Sequence, residues 1–339
     1  MSEATTLLTT KSLNPGSTFY KALLTKCSST KIRDLLLSAF LPILGLMIFL
    51  LFWQVGSQHI KTSLGTFPGP KEVAVQWKNL IAEQKDENLR EIAFYERQLK
   101  RNTEALKADP KAEIQNRKYS GHPTFFSKIK TSLGTVLCGF LLATLIAIPV
   151  GIVIGLSQSL YRAINPVIQI FKPVSPLAWL PLITLIVSSA YVSESPMFSK
   201  SFIISLLTVT LCSMWPTMIN TAVGVASVSK DLINVSRVLR LGWFTHVIKI
   251  VLPWSIPMMF TGLRLSLGIA WMVLIAAEML AQNPGLGKFV WDEFQNGSSD
   301  SLGRICVAVL TIGFIGFALD RTLLAIQSYI NWDKSAVVR

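Results

Sequence analysis

Very few ionisable side chains interrupt the apolar stretches of this chain, and each is a place where charge chemistry is possible. They are Lys172, Arg264, Glu278 and the Asp320-Arg321 pair. An ionisable group within or beside a membrane-length apolar segment is a functional candidate by default, because it is expensive to keep there without a task. Lys172 stands before Pro173 and Pro176, where a cation can balance an anion or reach back to headgroups. Arg264 reads as facing a path or tying its helix to the charged loop that precedes it. Glu278 reads as a structural hydrogen-bond partner more than an anion ligand, and Asp320-Arg321 as internal or interhelical pairing.

Other chemistry is not supported. Gly285-Leu286-Gly287-Lys288 lacks the leading glycine of a phosphate-binding loop and is followed by Phe289, so nucleotide binding by that device is not expected. His59, His122 and His246 have no metal-ligand spacing to one another or to cysteines. Cys27, Cys138, Cys212 and Cys306 are widely separated and read as small core residues, not as a disulfide framework. No nucleophile and base stand in a catalytic arrangement, so the chain is expected to be no enzyme and to bind no cofactor of its own.

The elements that must position these residues follow from hydropathy. The chain is 51% hydrophobic, in blocks separated by charge. Crossing a bilayer core takes roughly 20 apolar residues in a helix. Six stretches meet or approach this: Leu35–Trp53, Thr131–Leu156, Pro173–Val192, Phe202–Val225, Ser255–Ala281 and Ile305–Ile330. A soluble fold would have to bury all six, which excludes that class. The fold class is all-α, a polytopic helical membrane protein. Pro149, Pro181, Pro216 and Pro257 lie inside the spans, as do Gly151, Gly155, Gly313 and Gly316. Such breaks are tolerated where neighbouring helices or a cavity satisfy the backbone, which suits a transporter or channel.

Basic residues in the short connections orient the chain. Lys11, Lys21, Lys26, Lys31 and Arg33 precede the first span, and Lys230, Arg237, Arg240 and Lys249 follow the fourth. Both termini and the Lys230 loop are therefore expected in the cytoplasm. The net charge of +13 is explained largely by these segments and requires no nucleic acid. The polar start is too long for a cleaved signal peptide. The resulting division is a tail over 1–34, a first span over 35–57, an extracytoplasmic helical insertion over 58–128, a core over 129–330 and a tail over 331–339. The insertion carries Phe67-Pro68-Gly69-Pro70 and then Lys71 to Leu106, free of Gly and Pro. Its three-to-four spacing predicts one long or two broken amphipathic helices, with Asp86/Arg90 and Glu96/Lys100 pairs, ending near Asp109-Pro110. It is either a surface ornament or a dock for a soluble partner.

The loop 226–253 is amphipathic. At helical spacing Val228, Leu232, Val235, Leu239 and Trp243 form one stripe, expected to lie on the protein's own surface, with Arg237, Lys230, Asn234 and Arg240 opposite. Such a helix either rests its arginines on headgroups or docks a partner.

This loop resembles the coupling loop of ATP-binding-cassette importer permeases, whose pattern is a Glu-Ala-Ala triplet, a glycine shortly after it and a later Leu-Pro. Anchored on Leu252-Pro253, the triplet falls on Asn234, Val235 and Ser236 and the glycine on Arg240, so this sequence departs at each of those places. The departures themselves fit a subgroup. NVSRVLRL, KIVLPWSIP and FTGLRLSLGIAWMVLIAAEMLAQNPGLGKFVWDEFQNGSS are similar to the permease subunits of bacterial nitrate/nitrite importers, as are INPVIQIFKPVSPLAWLPLITLIVS, FYERQLKRN and PTFFSKIKTSL. These belong with taurine, alkanesulfonate, cyanate and bicarbonate permeases. The likeness runs from about Phe67 to Arg321.

The resemblance implies a six-helix, type I-like permease in the bacterial inner membrane. It implies a second permease copy, cytoplasmic ATPase subunits that hold ATP and Mg, an extracytoplasmic anion-binding protein, and membrane lipid as surroundings. It implies ATPase coupling through Asn234, Val235, Ser236, Arg237, Leu239 and Arg240, with the arginines meeting acidic groups and Val235 and Leu239 supporting the helix. Lys172, Arg264 and Glu278 remain the translocation-path candidates. Nitrate or nitrite is the expected cargo, with cyanate, taurine or an alkanesulfonate as alternatives on the same architecture. Two rivals of other classes stand beside this reading. A secondary transporter would keep working without an ATPase and fail with the ion gradient, and a membrane scaffold would show no anion-dependent ATP hydrolysis.

Overall fold

The computed structural model describes residues 40–62, 65–108, 114, 116–192, 198–298 and 300–330. Both expected tails, the start of the first span before Phe40, and the turn at Asp109-Pro110 lie outside the described residues. The chain divides into two compact units at Thr62. The first contains helix α1, Phe40–His59, apolar enough to cross a bilayer.

The second unit is a helical assembly: α2 (Pro70–Ala108), α3 (Phe125–Leu156), α4 (Gln158–Phe171), α5 (Pro176–Ala190), α6 (Lys200–Ala226), α7 (Lys230–Val238), α8 (Trp243–His246), α9 (Leu252–Ala281), α10 (Leu286–Asn296) and α11 (Ser301–Ile330). Among the described residues five helices are long and apolar enough to span a membrane, and six if α4 and α5, bent by 96°, count as one broken span. The segment α8 to α9 is continuous through a π-helical stretch at Val247–Val251, so the fifth span begins well before the expected Ser255.

Helix α6 is the centre, packed mainly between α3 and α9. Close approach to α3 depends on Gly151 and Gly155, since a Cβ at Gly151 would stand 2.7 Å from the Met218 carbonyl and one at Gly155 2.6 Å from that of Ala222. Without a hydrophobic force between helices in lipid, such small-residue contact supplies the dispersion that holds them. Beside Pro216, the Thr217 N–H and hydroxyl both reach Ser266 Oγ of α9, at 3.1 and 2.7 Å. The neighbouring helix thus satisfies backbone at a proline break. Trp271 Nε1 donates to the Ile312 carbonyl at 2.9 Å and joins α9 to α11.

The third expected span, Pro173–Val192, needs correction. Its helix is only Pro176–Ala190, 15 residues, too short to cross about 30 Å of hydrocarbon alone. The missing length comes from α4, a stretch that sequence reading left as a connection. Its Leu160, Tyr161, Ile164 and Ile168 pack on Ala147 and Ile154 of α3 and on Met214 to Ala222 of α6. Helix α5 continues with Leu180, Ile183 and Val187 against Ile204, Leu207 and Leu211. The two half-helices, at 96° to each other, thus touch successive parts of α6, α4 nearer its Ala226 end and α5 nearer its Lys200 end.

The insertion is a single 39-residue helix, α2. Its first half is anchored: Val73 and Leu80 are buried, Trp77 meets Phe125 and Phe126 edge-on, and Gln76 Nε2 donates to Asp300 at 2.9 Å. In its second half Leu89, Ile92, Leu99 and Leu106 are exposed. The expected Asp86/Arg90 and Glu96/Lys100 pairs are not formed; Arg90 instead meets Glu87, 3.6 Å away. Glu87 is drawn into place by accepting from the Tyr119 hydroxyl at 2.8 Å, and that hydrogen bond raises the Tyr119 pKa. Helix α3 begins at Phe125, inside the stretch assigned to the insertion.

Candidate coupling and translocation sites

The loop between α6 and α9 is built on two caps. Ser229 Oγ accepts from Leu232 N and opens α7, with Asp231 in the first turn and Arg237 in the last, both favourable to the helix dipole. The other end closes in a Schellman motif: Arg240 N–H donates to the Arg237 carbonyl at 3.0 Å and Leu241 N–H to that of Ser236 at 3.1 Å. Arg240 itself takes the left-handed conformation, φ 47°. This is the backbone that glycine adopts without cost, and it falls where the importer pattern places its glycine. The departure at Arg240 changes the residue while the turn remains.

Termination after nine residues corrects the expected apolar stripe. Val228 is buried with Val225 and Val251, and Leu232, Ile233 and Ile250 pack on them. Val235, Leu239 and Trp243, however, are exposed, and so is Val238 at 81%. Val235 faces outward within α7 itself, and the turn at Arg240 takes Leu239 and Trp243 out of its periodicity. The inward position belongs to Ser236, buried and hydrogen-bonded to His246 Nδ1 at 2.8 Å. Asn234, Val235, Arg237, Leu239 and Arg240 are each exposed, and Ser236 is buried. Arg237 and His246 also line a cavity of about 760 Å³ walled by Ile154, Val225, Ile233 and Val251. His246, set aside in the sequence as a lone histidine, is the residue that seats this loop. Its ten-residue separation from Ser236 left no periodic signal.

The three path candidates are not brought together. Lys172 lies exposed in the turn between α4 and α5; its backbone N–H donates to the Ile168 carbonyl, and its ammonium has no ion-pair or hydrogen-bond partner among the described residues. Arg264 does not reach the coupling loop. Its Nε and Nη2 grip Asp320 of α11 at 3.0 to 3.3 Å, the interhelical pairing expected for Asp320. Glu278 is fully buried near the far end of α9, accepting from Ser132 Oγ at 2.8 Å and Gly287 N–H at 2.9 Å. Ser132 Oγ in turn accepts from Leu286 N–H at 2.8 Å, so the carboxyl group holds the Gly285–Gly287 turn against α3.

A further charged cluster was not singled out in the sequence. Arg304 bridges Glu293 of α10 and Glu83 of α2, and Ser301 Oγ donates to Glu293 at 2.8 Å. Burial raises the Glu293 carboxyl above its ordinary pKa, against the pull of Ser301 and Lys128. These contacts fasten the inserted helix to the core.

The family described as binding-protein-dependent transport system inner membrane component matches residues 147–331. The nitrate import permease protein NrtB of Synechococcus elongatus is 37% identical over 194 residues, covering 57% of this chain and 66% of that protein. The bicarbonate transport system permease protein CmpB of the same organism is 32% identical over 301 residues, covering 88% of this chain and 92% of that protein. In fold, the structure resembles a chain of the MetNI methionine ABC transporter in an inward-facing conformation. The TM-score is 0.53 at 13% identity, covering 61% of this chain and 96% of that one.

Proposed function

The chain belongs to the binding-protein-dependent transport system inner-membrane-component family, the permease subunits of ABC importers, and we propose that its cargo is a small inorganic anion, nitrate or nitrite. The observation that carries coupling is the open face of α7. Asn234, Val235 and Arg237 of α7, and Leu239 and Arg240 of the turn that closes it, are all exposed beside a helix capped at both ends, and no nucleotide motif accompanies them in the chain. In this reading α7 fits a groove of a cytoplasmic ATPase subunit, and closure of the ATPase pair moves the permease. Ser236 acts from below as a positioning residue. Both termini and the α7 loop face the cytoplasm, while α2 and the Glu278 turn face outward towards an anion-binding protein. The apolar faces of α3, α5 and α11 meet lipid and a second permease copy.

Bicarbonate is the second reading. It is favoured by the length of the CmpB match, 301 residues against 194 for NrtB. Reconstitution with the ATPase and binding protein separates the two. ATP hydrolysis is expected to rise with nitrate or nitrite and not with bicarbonate, cyanate or taurine; a response to bicarbonate alone makes the second reading correct. Arg237→Glu with Arg240→Glu is expected to abolish ATPase co-purification, because stripping one side of a desolvated charge pair costs about 2–5 kcal/mol. Retained association with normal uptake would refute docking through α7.

A further inference from the structure

The break between α4 and α5 sits at a revealing depth. Helix α4 shares a side-chain cluster with Met214, Met218 and Ala222 of α6, and α5, at 96° to α4, shares one with Ile203, Leu207 and Leu211. The Phe171 ring lies parallel to that of Trp215, 6.4 Å away, and Trp215 is close to the middle of the 27-residue α6. Lys172, the next residue, is therefore near mid-membrane and not at the membrane edge where the sequence placed it.

Among the described residues its ammonium has no ion-pair partner. From Thr131 to Ser193 the chain carries no Asp or Glu, and neither does α6. Phe171 also packs on Trp179 at 5.8 Å, and the buried Trp179 Nε1 lacks a hydrogen-bond acceptor among the described residues. A buried indole N–H ordinarily finds an acceptor. A lysine at mid-depth without a counter-charge is tolerated where water or an anion reaches it, and broken helices are where transporters place such stations. We propose that this elbow is an anion-binding station of the translocation path, in which the exposed Lys172 ammonium holds one small monovalent anion at the break between the two half-helices. The proposal rests on the reading of the chain as an anion importer and adds the place where the anion pauses.

The test uses the complete complex in proteoliposomes with nitrate as the probe. Lys172→Gln is expected to lower uptake by about tenfold or more, Lys172→Arg to restore most of it, and both to keep ATPase association and unstimulated ATP hydrolysis. In a background with the native cysteines replaced, Lys172→Cys is expected to react with an anionic, membrane-impermeant thiosulfonate, and nitrate to slow that reaction. Uptake by Lys172→Gln within about twofold of the parent, or an unreactive Lys172→Cys, overturns the station. If the parent complex itself carries neither nitrate, nitrite nor bicarbonate, the importer reading has failed instead, and the two failures are thereby told apart.

Discussion

Ser236 Oγ lies 2.8 Å from Nδ1 of His246, so the middle of α7 is fastened to the turn that leads into α9. Trp254 reinforces the same junction by donating from Nε1 to the Ser227 carbonyl at 3.1 Å. These contacts tie α7 to a helical segment that runs from Trp243 to Ala281, the route by which the proposed docking helix would move α9.

Ser236→Ala tests that link. It leaves the half-buried imidazole nitrogen without its partner, at about 1–3 kcal/mol. Since 1.4 kcal/mol is tenfold in an equilibrium, amides of α7 should exchange with deuterium roughly ten times faster. ATPase binding should weaken although no docking side chain has changed. Unchanged exchange across Lys230–Leu241 would show that the contact does not hold the helix.

Arg240 offers a cleaner measurement of backbone strain. An L-residue in the left-handed region costs about 1–2 kcal/mol that glycine avoids. Arg240→Gly should therefore slow exchange at Leu241 N–H, whereas Arg240→Ala should not. Both variants remove the guanidinium and should weaken ATPase co-purification. Equal exchange in the two would mean that the cap is unstrained.

These two sites also mark what sequence could and could not disclose. The long spans were legible because lipid demands long apolar helices, and α3, α6, α9 and α11 contain the expected apolar stretches, although α3 starts at Phe125 and the fifth span at Trp243. Helix α4 was not, because Arg162, Asn165, Pro166 and Gln169 give it the appearance of a polar connection, although its other face is apolar. The position of Arg240 could be read from its register to Leu252-Pro253, but its left-handed backbone could not, since arginine gives no hint of positive φ. The Ser236–His246 contact depends on that turn, so it was hidden with it.

The Arg264–Asp320 pair is reversible by design of charge. Both side chains are partly exposed on the isolated chain, so the pair is expected to contribute only about 1 kcal/mol, typical of interhelical polar contacts in membranes. Arg264→Asp or Asp320→Arg alone should lower the thermal stability of the solubilised protein through like-charge contact. The double exchange should recover most of it. Failure of the double variant to recover would show that Arg264 serves another partner, such as cargo.

Glu278 allows the sharpest contrast between shape and charge. The carboxyl group is wholly buried and receives the Gly287 N–H and the Ser132 hydroxyl. Glu278→Gln keeps the volume and an acceptor oxygen, so its cost should be near that of one weakened hydrogen bond, about 1 kcal/mol. Ser132→Ala strands the Leu286 N–H as well and should cost about 1–3 kcal/mol. Gly287→Ala should be worst, because the added Cβ would lie 2.2 Å from the Ile275 carbonyl oxygen and 2.8 Å from Glu278 Cβ. Overpacking of that kind costs about 1–3 kcal/mol and here also pulls the Gly287 N–H from its acceptor. Thermal unfolding in detergent should rank the stabilities as parent, Glu278→Gln, Ser132→Ala, Gly287→Ala. If Glu278→Gln instead keeps full stability yet loses anion uptake, the carboxyl group is part of the path and not merely the fastening of the turn.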